Sequence, residues 1–119
     1  MSTQSIVLAS NITAEDTGSE YNYSEKNKGA GYSKNGDGVH TAVYVTDDFI
    51  GSIKIQGTLE LYPGDNDWVD IDNTLRGLSD DSSAWSSDTY SVTFTGKFVW
   101  IRAAYNVQNG TINEIRYNY

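Results

Sequence analysis

The chain has one histidine, His40, and no cysteine. Thiolate metal sites, disulfide scaffolds and cysteine nucleophiles are therefore excluded. A Ser-His-Asp triad would have to use His40, yet no Gly-x-Ser-x-Gly elbow exists. His40 also falls inside an alternating segment, where a hydrogen-bonded structural ring is the expectation. Two carboxylates across a cleft could cleave a glycosidic bond, but a small sandwich seldom offers a deep cleft. Catalytic residues are expected to be none, and the protein is read as a non-enzyme.

Hard-cation chemistry has one candidate, Asp65-Asn66-Asp67-Trp68-Val69-Asp70-Ile71-Asp72. Calcium takes several oxygen ligands from a flexible loop, and Asp65 and Asp67 lie next to a turn. The spacing departs from the EF-hand loop. Asp70 and Asp72 fall on the outer side of a strand, where carboxylates are solvated. Folding is expected to need neither metal nor cofactor. Asp47-Asp48 and Asp80-Asp81 read as turn formers. The aromatics are the stronger signal. Tyr21, Tyr23 and Tyr32 share one polar loop and Trp85 sits in another, and exposed rings mark interfaces or sugar-stacking platforms. Trp68 and Trp100 are expected in or beside the core.

The elements that must position these groups read as strands. No segment sustains an apolar i, i+3, i+4 stripe. The clearest alternation sets Ile53, Ile55, Gly57, Leu59 and Leu61 against Lys54, Gln56, Thr58, Glu60 and Tyr62. That is a strand with one dry face and one wet or partner-facing face. Ile55 and Leu59 are predicted to face the core, and Gly57 predicts a bulge or a close packing contact. Further strands are predicted over 5–9, 39–46, 68–72, 89–95, 98–105 and 111–117. Pro63-Gly64-Asp65 ends the long strand, and Thr95-Gly96-Lys97 joins two strands tightly. Asn109-Gly110 predicts a two-residue hairpin that sets Val107 opposite Ile112 and Tyr105 opposite Glu114. Residues 20–38 and 77–88 read as long surface loops. The set predicts one all-β domain over 1–119, an antiparallel β-sandwich of jelly-roll-like form.

With 119 residues a modest core can close without disulfides. The net charge of −8 disfavours nucleic acid and anionic membrane as partners. The start, Met1-Ser2-Thr3-Gln4-Ser5, lacks a positive n-region, and the run Ile6–Ala9 is too short for a signal peptide. The chain is expected to stay in the producing cell or to leave it by lysis.

Residues 29–117 carry a further pattern: Gly29-Ala30-Gly31-Tyr32, Asp37-Gly38-Val39-His40-Thr41, Gly51 to Glu60, Pro63, Asp67-Trp68, Phe94 to Ala103 and Gly110-Thr111-Ile112. This combination resembles small structural proteins of tailed phages, especially marine cyanophages with contractile tails. The stretch Phe94-Thr95-Gly96-Lys97-Phe98-Val99-Trp100-Ile101-Arg102-Ala103 carries most of it. The resemblance implies a virion component: a capsid decoration protein or a neck, baseplate or fibre part. It brings no catalytic residues. Its implied partners are other virion proteins and further copies of the chain, with a trimer expected. The alternative is a carbohydrate- or receptor-binding module on the same scaffold, with Tyr21, Tyr23, Tyr32 and Trp85 as contact residues in either case.

Overall fold

The computed structural model describes residues 6–13, 21–33, 38–77 and 87–118. Its strands are β1 (Ile6–Thr13), β2 (Asn22–Tyr23), β3 (Asn27–Lys28), β4 (Val39–Thr58), β5 (Val69–Asp70), β6 (Arg76–Gly77), β7 (Ser87–Thr95) and β8 (Trp100–Asn118). One helical turn, Ala30–Ser33, and a 3₁₀ turn, Asp65–Asp67, are the helical pieces among the described residues. The fold is an all-β antiparallel sandwich, as the alternation predicts.

Its frame is one ribbon. β4 and β8 pair antiparallel from Thr41 opposite Asn118 to Thr58 opposite Trp100. β4 has 20 residues, and at about 3.3 Å per residue a straight strand would reach roughly 66 Å. The molecule's longest extent is 42 Å, so the ribbon bends. Register shifts lie between Val45 and Thr46, between Asp47 and Ile50 and between Ile50 and Gly51. Each such bulge kinks its strand and adds twist. The inward parity of β4 switches there. His40, Ala42, Tyr44 and Thr46 are buried before the bend, and Phe49, Ile53 and Ile55 after it.

The bent ribbon supplies both layers of the sandwich. In the upper layer the order is β1, β8, β4, β7. In the lower layer β5 and β6 extend β4 while β2 and β3 extend β8. Between them lies one core, with Tyr44, Val92, Phe94, Ile112, Ile115 and Tyr117 above and Ile53, Ile55, Ile71, Ile101, Ala103 and Val107 below. The Tyr44 hydroxyl crosses the layers to donate to the Thr74 carbonyl at 2.8 Å.

Several expectations are corrected. Asn109-Gly110 is not a turn, because β8 runs straight through it and Tyr105 pairs with Ile53 while Glu114 pairs with Val45. Gly110 has φ +80°, while Asn109 is not in the left-handed region a type I′ turn requires. A Cβ on Gly110 would collide with the carbonyl oxygens of Asp47 and Asp48, so the glycine admits the bulged partner strand. Asp47 and Asp48 accordingly lie within β4, with Asp48 at φ 49°. Leu59 is 69% exposed while Ile55 is fully buried. β4 ends at Thr58, and beyond it the two-residue period has no sheet to act on. Gly57 meets its expectation, since a Cβ there would stand 2.6 Å from the Phe98 ring. The loop expected over 20–38 contains β2, β3 and the helical turn. Of 77–88, residues 78–86 lie outside the described set.

Candidate functional site

Lys54 and Gln56 of β4 and Trp100 and Arg102 of β8 project from the outer side of the lower layer, opposite the buried Ile53, Ile55, Ile101 and Ala103. Register brings them together: Gln56 is directly opposite Arg102 on one side and Asp70 on the other. Arg102 Nε donates to Gln56 Oε1 at 2.9 Å. Gln56 Nε2 donates to Asp70 Oδ1 at 2.9 Å. Lys54 Nζ donates to Asp70 Oδ2 at 3.1 Å. A guanidinium only donates and a carboxylate only accepts, so the chain fixes the amide's orientation. The Gln56 hydrogen bond, with help from Lys54, holds the Asp70 carboxyl below its ordinary value against an opposing desolvation.

Aromatic rings clamp the cations. The Arg102 guanidinium carbon lies 4.0 Å from the Tyr23 ring centre and 4.3 Å from that of Trp68. Partial burial of the guanidinium moves its pKa down from the usual value. Lys54 Nζ stands 4.4 Å over Tyr21, whose hydroxyl shares a 2.6 Å hydrogen bond with Ser52 Oγ. Lys28 covers Tyr32 at 4.7 Å and Lys26 covers Trp100 at 5.0 Å. Tyr32 and Trp100 meet at 4.9 Å between ring centres. Such pairs contribute about 0.5–1 kcal/mol each when exposed.

At one end this face becomes apolar. Trp100 Nε1 donates to the Leu61 carbonyl at 2.8 Å. On the segment that follows β4, Leu59, Leu61 and Tyr62 are 69, 48 and 89% exposed. We call this the Leu61 corner.

Of the sequence-predicted contact residues, Tyr21, Tyr23 and Tyr32 gather here, with Tyr23 and Tyr32 exposed and Tyr21 half-buried. Trp85 lies outside the described residues. Trp68 and Trp100, expected in or beside the core, are not members of the core cluster itself. They are half-buried rings on the outer face, since the inward positions beside Trp100 fall to Ile101 and Ala103. Asp70 is likewise not merely solvated. Sequence reasoning missed Arg102 and the Leu61 corner. The wet side of the long alternation, which includes Lys54, Gln56 and Tyr62, was the available signal.

His40 is placed as a structural residue. It is fully buried and stacks on Phe94 at 4.8 Å with planes 3° apart. Its Nε2 lies 2.8 Å from the Gly96 carbonyl oxygen, which only accepts, so Nε2 carries a proton. Asp67 Oδ2 accepts from the Gly64 backbone N–H at 2.7 Å, a turn-closing role. Among the described residues, no group of three or more His, Asp or Glu is placed to hold a metal ion, Asp65 and Asp67 included. No helix among them is long and apolar enough to cross a membrane.

No protein-family model matches the chain, and no curated protein matches it.

Proposed function

We propose that the protein is a non-enzymatic structural component of a tailed-phage virion that works through protein–protein contacts made at the Leu61 corner. The observation that carries this reading is the exposure of Leu59, Leu61 and Tyr62 on the segment whose Leu61 carbonyl accepts from Trp100. Large exposed apolar side chains grouped on one segment mark a protein interface. Lys26 over the Trp100 ring and Lys28 over the Tyr32 ring supply charge beside it. Aromatic anchors carry most binding energy at such surfaces, and Tyr62 and Trp100 are the anchors here. The virion setting is supported by the resemblance of residues 29–117 to phage structural proteins. The test is incorporation. Leu61→Asp with Tyr62→Ser should fold normally and be lost from purified particles, whereas undiminished incorporation contradicts the reading.

One observation favours a second reading, a carbohydrate- or receptor-binding module. Tyr23 and Tyr32 are exposed on the same face as the Gln56 amide and the Asp70 carboxylate, the group types that hold sugar hydroxyls. Saturable glycan binding followed by tryptophan fluorescence, and lost in Tyr23→Ala, favours this reading over the first.

A further inference from the structure

Asn109-Gly110 lies inside β8, where the pairing with β4 passes from Ile50 opposite Asn109 to Asp47 opposite Thr111 and leaves Gly110 with no opposed residue. The bend dictates the glycine. Gly110 has φ +80°, and a Cβ on it would collide with the backbone carbonyls of Asp47 and Asp48. The same requirement leaves the Gly110 peptide nitrogen without a neighbouring side chain of its own to shield it.

Asn109 is exposed, and its side chain folds back onto that nitrogen. The Gly110 N–H donates to Asn109 Oδ1 at 2.9 Å. Cγ is bonded to Oδ1, so it stands within about 4 Å of the nitrogen, near the roughly 3–3.5 Å of reacting atoms poised for attack. The hydrogen bond therefore selects the rotamer that carries the carboxamide towards the next peptide instead of away from it.

From this we infer that Asn109 is a site of spontaneous deamidation through a cyclic imide with Gly110, and that its isoaspartyl product loosens the bend of the ribbon. The inference is independent of the Leu61 corner.

The reaction needs only water. Hydroxide takes the proton from the Gly110 nitrogen, which attacks Asn109 Cγ. The new N–Cγ bond forms as the carboxamide C–N bond breaks, and the amine leaves as ammonia with a proton from water. Water then opens the succinimide at either of its carbonyls. Opening at Cγ leaves an ordinary aspartyl residue. Opening at the main-chain carbonyl leaves an isoaspartyl linkage, in which the chain continues through the former side chain. Overall one water is consumed and one ammonia released.

Position sets the consequence. Both products add a carboxylate one residue from the close approach of Gly110 to the carbonyls of Asp47 and Asp48, which are themselves exposed acids. Like charges gathered there repel. The isoaspartyl form also lengthens the main chain of β8 opposite the register shifts of β4 between Asp47 and Gly51.

The test ages the folded protein at mildly alkaline pH and maps each asparagine by peptide mass spectrometry. Isoaspartyl residues are identified by methylation with an isoaspartyl methyltransferase. A second Asn-Gly pair, Asn35-Gly36, lies outside the described residues and is read on a separate peptide. Asn109 should convert in the folded protein at a rate within several-fold of its rate in the urea-unfolded chain. Greater protection by the fold would overturn the inference. In an Asn35→Gln background, aged protein should unfold at lower urea than fresh protein, and adding Asn109→Gln should abolish the shift. Equal midpoints for fresh and aged protein, or a shift that persists with Asn109→Gln, would also overturn it.

Discussion

His40 Nδ1 and the Tyr117 hydroxyl lie 2.7 Å apart, tying the start of β4 to the end of β8 across 77 residues of sequence. With Nε2 donating to Gly96, the tautomer that leaves Nδ1 bare accepts there from the Tyr117 hydroxyl. The two rings also stack, 16° from parallel. The lone histidine, which in another setting would be the first candidate base, here fastens the two ends of the ribbon.

Tyr117→Phe keeps that stack and removes the hydroxyl. A buried ring nitrogen then loses its donor, which costs about 1–3 kcal/mol. Urea unfolding of wild type and variant measures the difference. An unchanged midpoint would show that the bond carries no stability.

Gly57→Ala should also destabilise, by about 1–3 kcal/mol, because its new methyl meets the Phe98 ring. Phe98→Leu in the same chain should recover part of that loss. A double-mutant cycle reads the coupling, and strict additivity of the two changes would contradict the contact.

Ile55 and Leu59 separate in the same assay. Ile55→Ala should lose about 2–5 kcal/mol as a buried truncation. Leu59→Ala should stay within about 0.5 kcal/mol, as surface changes do. Comparable losses at the two positions would place Leu59 back in the core.

Asp70 makes a pH-dependent contribution whose sign is fixed. Its folded-state pKa lies below the ordinary carboxylate value. Its stabilisation is therefore present at neutral pH and above the unfolded-state value, and is lost as pH falls through the lowered folded-state value. The carboxylate is largely exposed, so the effect is small. Asp70→Asn should be slightly less stable than wild type at neutral pH and converge with it in acid. A constant gap across that range would contradict the assignment.

Much of this structure was legible in the sequence. The inward Tyr90, Val92 and Phe94 of β7, the buried Ile53 and Ile55, the close contact at Gly57 and the structural role of His40 follow from period-two alternation and side-chain chemistry. The ribbon was not legible. Asn-Gly is the strongest local turn signal, yet in β8 the glycine serves the close approach of a strand some 60 residues earlier in the chain, a non-local demand that no short window carries. Leu59 failed for a related reason: alternation persists in the letters after the sheet has ended. The face of Tyr21, Tyr23 and Tyr32 was half legible. The rings stood out by type, but their cations Lys54 and Arg102 reach them through the pairing of β2, β4 and β8.

The most direct test of the virion reading is electron cryo-microscopy of the intact phage particle. Density for this fold should be found on the particle, with Leu61, Tyr62 and Trp100 buried against a different virion protein. Particles that lack the chain, or that hold it with the Leu61 corner facing solvent, would contradict the proposed function.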